Sequence, residues 1–402
     1  MTTTSILPDA EAAISLRRER SNVLRLAVCQ ALAGANATVV FATGAVVGDM
    51  LAPSKALATM PVSNFVVGMA LRTLPAGAIA QRHGPGMVCM RGTGSGVLAG
   101  ALASLAMLVA SFWLFCFATF CAGIYAAVVL SFRFAATDCA APARRPRALS
   151  AVMAGGVFAG VIGAQLVTHT MNLWPPYLFA ATYVGQAAVA ALSALILLGV
   201  KLPMPTAAEQ AGGRPLGVIV RQPRFILAVI CGVVSYLLMN FLMTAAPLAM
   251  KLCGLSQESA NLGLQWHVVA MYGPSFWTGR LITRFGAAKV VAAGLILTGA
   301  ASAVGLFGID VTHFWATLIL LGLGWNFGFV GASAMVLECH RPEEKARVQS
   351  FNDFAVFGTM AIGSFLSGGL LSAFGWNMVL MLSFAPLLVA ILALTAGRRA
   401  TA

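Results

Sequence analysis

Residues 66–84 read VVGMALRTLPAGAIAQRHG, and residues 268–286 read VVAMYGPSFWTGRLITRFG. At an offset of 202, Val66, Val67, Met69, Gly77, Arg82 and Gly84 stand against Val268, Val269, Met271, Gly279, Arg284 and Gly286. A second match joins DCAAPARRPRALS (138–150) to ECHRPEEKARVQS (338–350). At an offset of 200, Asp138, Cys139, Pro142, Arg145, Arg147 and Ser150 face Glu338, Cys339, Pro342, Lys345, Arg347 and Ser350. Two matches at nearly one offset describe a chain built from two related halves.

The medium around those halves follows from composition. Hydrophobic residues make up 59% of the 402, and charged residues only 9%. An ordinary soluble domain carries about 25% charged residues. So few charges cannot cover the surface of a soluble fold of this size. That excludes a soluble enzyme, a disordered chain and a disulfide scaffold. A spanning helix needs about 20 apolar residues. Apolar runs fall at 23–47, 57–79, 88–109, 112–134, 150–172 and 177–199, and again at 225–249, 259–281, 289–308, 314–337, 351–372 and 377–396. The reading is an all-α integral membrane protein with twelve transmembrane helices. Its expected parts are a cytoplasmic tail (1–22), a six-helix bundle (23–199), a cytoplasmic linker (200–224), a second six-helix bundle (225–397) and a short tail (398–402). Because six is even, both halves enter the membrane in the same direction. Parallel halves related by an axis along the membrane normal are a transporter architecture.

The positions of the basic residues orient the chain. Of the 25 Lys and Arg, all but Lys55, Lys251 and Arg72 fall at or beside segments that share one side with the N-terminus. The positive-inside rule then puts both termini in the cytoplasm. The net charge of +13 is a consequence of this topology and needs no nucleic acid. Lipid headgroups are the expected partners of these charges. The eight Cys form no CxxC pair. Cys29, Cys116, Cys121 and Cys231 sit in apolar runs as small hydrophobes. The N-terminal segment is too polar for a signal-peptide core.

With the spans and repeat in place, GAIAQRHGPG (77–86) and GRLITRFGAAK (279–289) resemble the loop signature of the major facilitator superfamily, G-x-L-a-D-R-x-G-R-K. The acidic position holds Gln81 and Thr283, and Pro85 and Gly86 replace basic residues. QWHVVAMYGPSFWTG, LGLGWNFGFVGASAMVL and KARVQSFNDFAVFG resemble a bacterial subgroup that includes a riboflavin importer. The resemblance implies two rocking bundles in a bacterial inner membrane, with spans one, four, seven and ten around the cavity. It also implies a cytoplasmic gate at Gly77, Arg82, Gly84, Gly279, Arg284, Gly286 and Asp353. There Arg82 is expected to pair with the Asp353 end of span eleven; a solvated loop charge is the other reading.

Polar groups inside hydrocarbon are costly and mark function by default. No carboxylate falls mid-membrane, which argues against a cation site and against a drug–proton antiporter. Asn64, Gly68 and Arg72 share one face of span two. Arg72 either faces the cavity, favouring an anionic or carbonyl-rich solute, or snorkels to headgroups. His267 and His169 either carry a coupling proton or make interhelical hydrogen bonds. Gln165 shares a face with His169, and Gln265 and Trp266 precede His267. Tyr236, Asn240 and Thr244 share a face of span seven. Span ten offers Trp325 and Asn326, span one Gln30 and Asn36, and span four Tyr125. The substrate candidates are thus Asn36, Asn64, Arg72, Tyr125, Gln165, Tyr236, Asn240, Gln265, Trp266, His267, Trp325 and Asn326. A site of amides and aromatics suits a planar, hydrogen-bonding solute.

Other motifs give nothing. Gly94-Ser-Gly96-Val-Leu-Ala99 imitates a dinucleotide fingerprint, yet it lies in a span and follows no strand. Gly156 and Gly160 read as close helix packing. Val161 follows Gly160 where the antiporter signature needs Pro. No Walker loop, metal spacing or nucleophile–base pair occurs, so no cofactor, metal or enzyme activity is expected. The expectation is a monomeric secondary transporter taking up a small organic solute, with riboflavin or a similar polar heterocycle preferred. The alternatives are a proton-coupled efflux antiporter and a non-transporting receptor or sensor.

Overall fold

The computed structural model describes residues 6–83, 85–141, 145–200, 202 and 213–399. Side chains are described throughout these except at 6–15, 74, 76–78, 80–83, 85–91, 133–134, 137, 145–147, 149–150, 342, 368 and 397–399. Among the described residues every regular element is a helix.

The N-terminal half holds span one (Ile6–Leu51), span two (Met60–His83), span three (Pro85–Leu108), span four (Phe112–Cys139), span five (Arg145–Thr170) and span six (Ala180–Leu197). After one helical turn at Leu216–Ile219, span seven runs Pro223–Leu252. Pro223 sits in its first turn, where a missing N–H breaks nothing. Span eight comes in two pieces, Gln257–Tyr272 and Ser275–Phe285. Ser256 caps the first piece, its hydroxyl accepting from Ser259 N at 3.1 Å. Spans nine (Ala287–Leu306) and ten (Val311–Leu337) follow. One long helical stretch, Lys345–Leu382, contains both span eleven and the start of span twelve. It turns at Gly375, whose φ of 76° suits a residue without Cβ. Span twelve continues through Phe384–Arg399.

Three boundaries differ from the sequence expectation. Span one starts at Ile6 rather than near Val23, so most of the expected tail is helical. Between Ile6 and Arg25 there is no Gly, and Pro8 lies in the first turn, where it is tolerated. Span eight is broken at Gly273–Pro274, because Pro274 cannot donate the helical hydrogen bond. Within the expected linker, Arg214 to Arg224 is ordered into the helical turn and the start of span seven.

By length and hydropathy, eight helical stretches among the described residues are apolar enough to cross a membrane. Within the described residues, spans two, eight and eleven fall below that mark, and span three shows a shorter apolar stretch, Gly92–Leu108. Spans two, eight and eleven lie where the halves meet. Span two packs along span eleven, and span five along span eight. These pairs exchange under the internal two-fold, as the repeat requires. Helices that face a partner rather than lipid have no need of uniform apolarity. The end holding Ile6 and Arg399 is called the near face, and the opposite end the far face.

Candidate functional site: a central cavity between the halves

A cavity of about 70 Å³ lies midway along the bundle. Span one contributes Gln30, Gly34, Thr38 and Phe41, span two Phe65 and Met69, span four Ala126, Val129 and Leu130, and span five Ala159. From the other half come Tyr236, Met239 and Met243 of span seven, Leu264, Val268, Met271 and Tyr272 of span eight, and Met360 of span eleven. The N-terminal wall is thus largely small and aliphatic, with Gln30 and Thr38 as its polar points. The C-terminal wall is mostly methionine and tyrosine, with Leu264 and Val268 between them. Thioether side chains deform readily, which suits a wall that reshapes around a ring.

An aromatic cluster stands behind that wall. The Tyr236 ring meets Trp325, Phe329 and Phe357 edge-on, at centroid distances of 5.4, 4.8 and 5.4 Å. Trp325 stacks on Phe329 at 5.3 Å and takes the edge of Tyr272 at 5.8 Å. Edge-to-face pairs of this kind fix ring orientation beyond simple burial. Tyr236 is therefore presented to the cavity by three rings on spans ten and eleven.

The residues singled out by sequence are distributed around this cavity more than in it. Tyr236 lines it, and Trp325 is buried one layer behind. Asn36 is buried on another face of span one than Gln30 and Thr38. Its helical neighbour seven residues on, Thr43, bonds the Tyr183 hydroxyl of span six at 2.8 Å. Asn240 is buried beside the Tyr236 face, its amide atoms without a partner among the described residues. Tyr125 is buried against span three, where a Cβ at Gly96 would lie 2.5 Å from its ring. Asn64 neighbours Cys116 of span four, and Arg72 is half-buried further along span two.

In span eight, Trp266 points outward, 45% exposed. His267 is fully buried, with Nδ1 2.6 Å from the Leu318 carbonyl of span ten. His169 is exposed at the end of span five. Asn326 serves the break in span eight: Nδ2 donates to Met271 O at 2.5 Å and Ser275 Oγ at 2.7 Å, and Oδ1 accepts from Thr278 Oγ1 at 2.6 Å. The Met271 carbonyl, which the break leaves without its helical partner, finds one there.

Sequence reasoning missed Thr38, Tyr272 and the methionines. One signal was present. Met69 and Met271 are repeat partners 202 residues apart, and both line the cavity.

The halves are closed on the far face by polar contacts. Asp49, at the end of span one, holds Lys55 at 2.7 Å and Lys251, at the end of span seven, at 2.9 Å. Gln257 donates to Ala42 O at 3.4 Å and to Asn261 Oδ1 at 3.0 Å. Asn261 donates to Thr168 Oγ1 at 3.1 Å, and Gln165 to Gln265 Oε1 at 2.9 Å. Gly160 lets Val268 approach; a Cβ there would sit 2.7 Å from Val268 Cβ. So the glycines of span five do serve close packing, across the half boundary.

On the near face Lys345 reaches Asp138 at 2.9 Å, joining span eleven to the end of span four. Of the expected gate there, Gly77 lies in the helical part of span two, while the Arg82 side chain and Gly84 lie outside the described residues. Gly279 is exposed, and Gly286, at φ 84°, ends the second piece of span eight. Arg284 is exposed and lies 5.3 Å over the Phe285 ring. Asp353 is half-buried and accepts from Asn352 Nδ2 at 3.2 Å.

The linker is pinned beside this face. Arg214 grips Glu344 through Nε at 2.6 Å and Nη2 at 2.8 Å. The backbone amides of Arg214 and Arg341 also donate to it, at 3.0 and 2.9 Å. The Arg214 side chain, followed by these amide bonds, holds the buried Glu344 carboxyl well below the usual carboxylate range.

Twelve spans in two parallel halves, around a central cavity with closures at either end, define a multi-pass membrane transporter working by alternating access. Comparison with known proteins places it more narrowly. The Major Facilitator Superfamily model matches residues 26–276 and again 228–401, and the chain belongs to that superfamily. It is 46% identical over 369 residues to the riboflavin transporter RfnT of Brucella anthropi, covering 91% of this chain and 92% of that protein. It is 27% identical to YdeG of Bacillus subtilis, an uncharacterized transporter of the same superfamily, over 85% of this chain and 84% of that one. Among solved structures, a bacterial homologue of the human lysosomal transporter Spinster superposes with a TM-score of 0.71 at 16% identity, over 95% and 97% of the two chains. The human organic anion transporter MFSD10 gives 0.71 at 14%, over 94% and 99%. These structures share the fold. The chain is a secondary transporter of a small solute, not an enzyme.

Proposed function

We propose that this chain imports riboflavin, or a closely similar polar heterocycle, across a bacterial inner membrane, with both termini in the cytoplasm and the far face outside. It works as a monomer in lipid and has no nucleic-acid partner. The observation that carries the reading is Tyr236, held edge-on by Trp325, Phe329 and Phe357 at the wall of a methionine-lined cavity. A flat ring system stacks on such a wall, and Gln30 and Thr38 across the cavity meet its hydrogen-bonding edge. The extensive identity to a riboflavin transporter supports the same solute.

The cavity of about 70 Å³ holds only a few water molecules. Pockets for drug-sized ligands run to about 300 Å³ and above. Binding therefore requires the halves to part and the methionines to move, the motion that alternating access supplies. The test is uptake of labelled riboflavin in an auxotrophic host lacking its own importer, with and without a proton uncoupler. Saturable uptake supports import, and its loss with the uncoupler assigns protons as the driving ion. No uptake from confirmed membrane protein overturns riboflavin import. Raised drug tolerance in the same host would favour efflux instead.

A further inference from the structure

A second cavity, about 300 Å³, opens between the halves at the far face and is separate from the central one. Its apolar floor includes Met50, Met171, Leu178 and Phe179. Its polar groups are Asn172 from the same half and Lys251, Ser256 and Gln257 from the other. We propose that this cavity is a loading site, where the transported solute rests before the halves part. The inference rests on the uptake reading above and adds a second site to it.

The chemistry of the walls selects the occupant. A flat apolar face lies against methionine, leucine and phenylalanine. An edge of carbonyl oxygens meets the Lys251 ammonium and the Gln257 amide, which are both donors. A cationic solute is disfavoured, because Asp49 already faces two ammonium groups, Lys55 and Lys251. The volume reaches the lower limit for a drug-sized ligand, whereas the central cavity does not. In this conformation the far cavity is thus the better fit for a solute of that size.

Position adds a second argument. Both donors now hold the far face shut: Lys251 on Asp49 at 2.9 Å, and Gln257 on Ala42 O at 3.4 Å. A solute oxygen that draws on either donor competes with a contact between the halves. Occupancy and opening are then coupled through the same two side chains, since a ligand shifts an equilibrium only by its differential contacts with the two states.

Purified full-length protein in nanodiscs and proteoliposomes tests this with riboflavin as the probe. Asn172→Trp fills the cavity from the N-terminal half, and Leu255→Trp fills it from the other. Each should raise the KM for uptake about tenfold while Vmax is kept, the signature of a lost uniform binding contribution. In a Tyr236→Ala background, wild-type surroundings should retain a weaker class of riboflavin binding, and either tryptophan should abolish it. Retention of high-affinity central binding in the single tryptophan variants checks that they are folded. Unchanged KM in both variants, or no residual binding with Tyr236→Ala, overturns the loading site while leaving uptake intact. Absence of uptake by the wild type overturns the functional reading and this inference with it.

Discussion

Asp49 and Lys251 occupy equivalent positions in the two halves, 202 residues apart, and bond each other at 2.9 Å across the far face. Duplication alone would have placed like residues there. Opposite charges turn an internal two-fold contact into a closure. Exposed pairs of this kind contribute up to about 1 kcal/mol, which suits a contact that must break in every cycle. Lys251→Met should therefore shift the balance of conformations rather than unfold the protein. We expect backbone amides of span one near Asp49 and of span seven near Lys251 to exchange hydrogen a few-fold faster. The double variant Asp49→Lys/Lys251→Asp should restore wild-type protection. Unchanged exchange in Lys251→Met would remove this pair from the gate.

Tyr236 is the cavity residue with the most rigid support. Tyr236→Ala should raise the KM for uptake by about tenfold or more, because it deletes the ring that would stack on the solute. Tyr236→Phe keeps the ring and its three edge contacts, so its KM should rise only a few-fold. Trp325→Leu removes a supporting ring without touching the wall, and its effect should fall between the two. Equal kinetics for Tyr236→Ala and wild type would show that solute binds elsewhere.

How far these features can be read from the sequence varies by feature. The twelve spans and the two halves were legible, because hydrophobic run length and the 202-residue repeat are properties of the chain alone. Of the residues lining the candidate cavity, the sequence reading singled out Tyr236 and Gln30. Asparagines and histidines were favoured because polar groups in hydrocarbon stand out. In the fold, His267 turns to the Leu318 carbonyl and Asn326 to the break at Pro274. Their polarity is used by contacts between spans eight and ten, which periodicity does not report. The cavity wall is instead built from Met239, Met243, Met271 and Met360. Methionine in an apolar run looks like any core residue. The lysine–aspartate closures were equally hidden: Asp138 and Lys345 are 207 residues apart, and only packing brings them to 2.9 Å.

The Glu344–Arg214 clamp predicts a pH dependence. The folded-state carboxyl of Glu344 titrates below its ordinary value, held down by Arg214 and two backbone amides. A carboxylate with a lowered folded pKa adds stability that is fully present above its unfolded value, about 4.3. That stability is lost as pH falls through the lower, folded value. In thermal unfolding of the full chain in detergent, wild type should exceed Glu344→Gln by a constant margin from pH 5 to 8. Below about pH 4.3 the margin should shrink. A margin that grows on acidification would contradict the assignment.

Gly160 gives the sharpest test of the far-face closure. It lies in span five against Val268 of span eight, and an added Cβ would come within 2.7 Å of Val268 Cβ. That distance is too short for two carbons, and neither helix has a flexible atom to yield at this point. A side chain at position 160 therefore penalises the far-closed arrangement without burdening a state in which spans five and eight separate. Gly160→Leu should fold and reach the membrane, yet lose most uptake, because one of the two conformations is removed from the cycle. Shaving the partner restores room, so Gly160→Leu/Val268→Gly should recover part of the flux. Wild-type uptake in the single variant would mean that transport does not pass through the closure seen between these two helices.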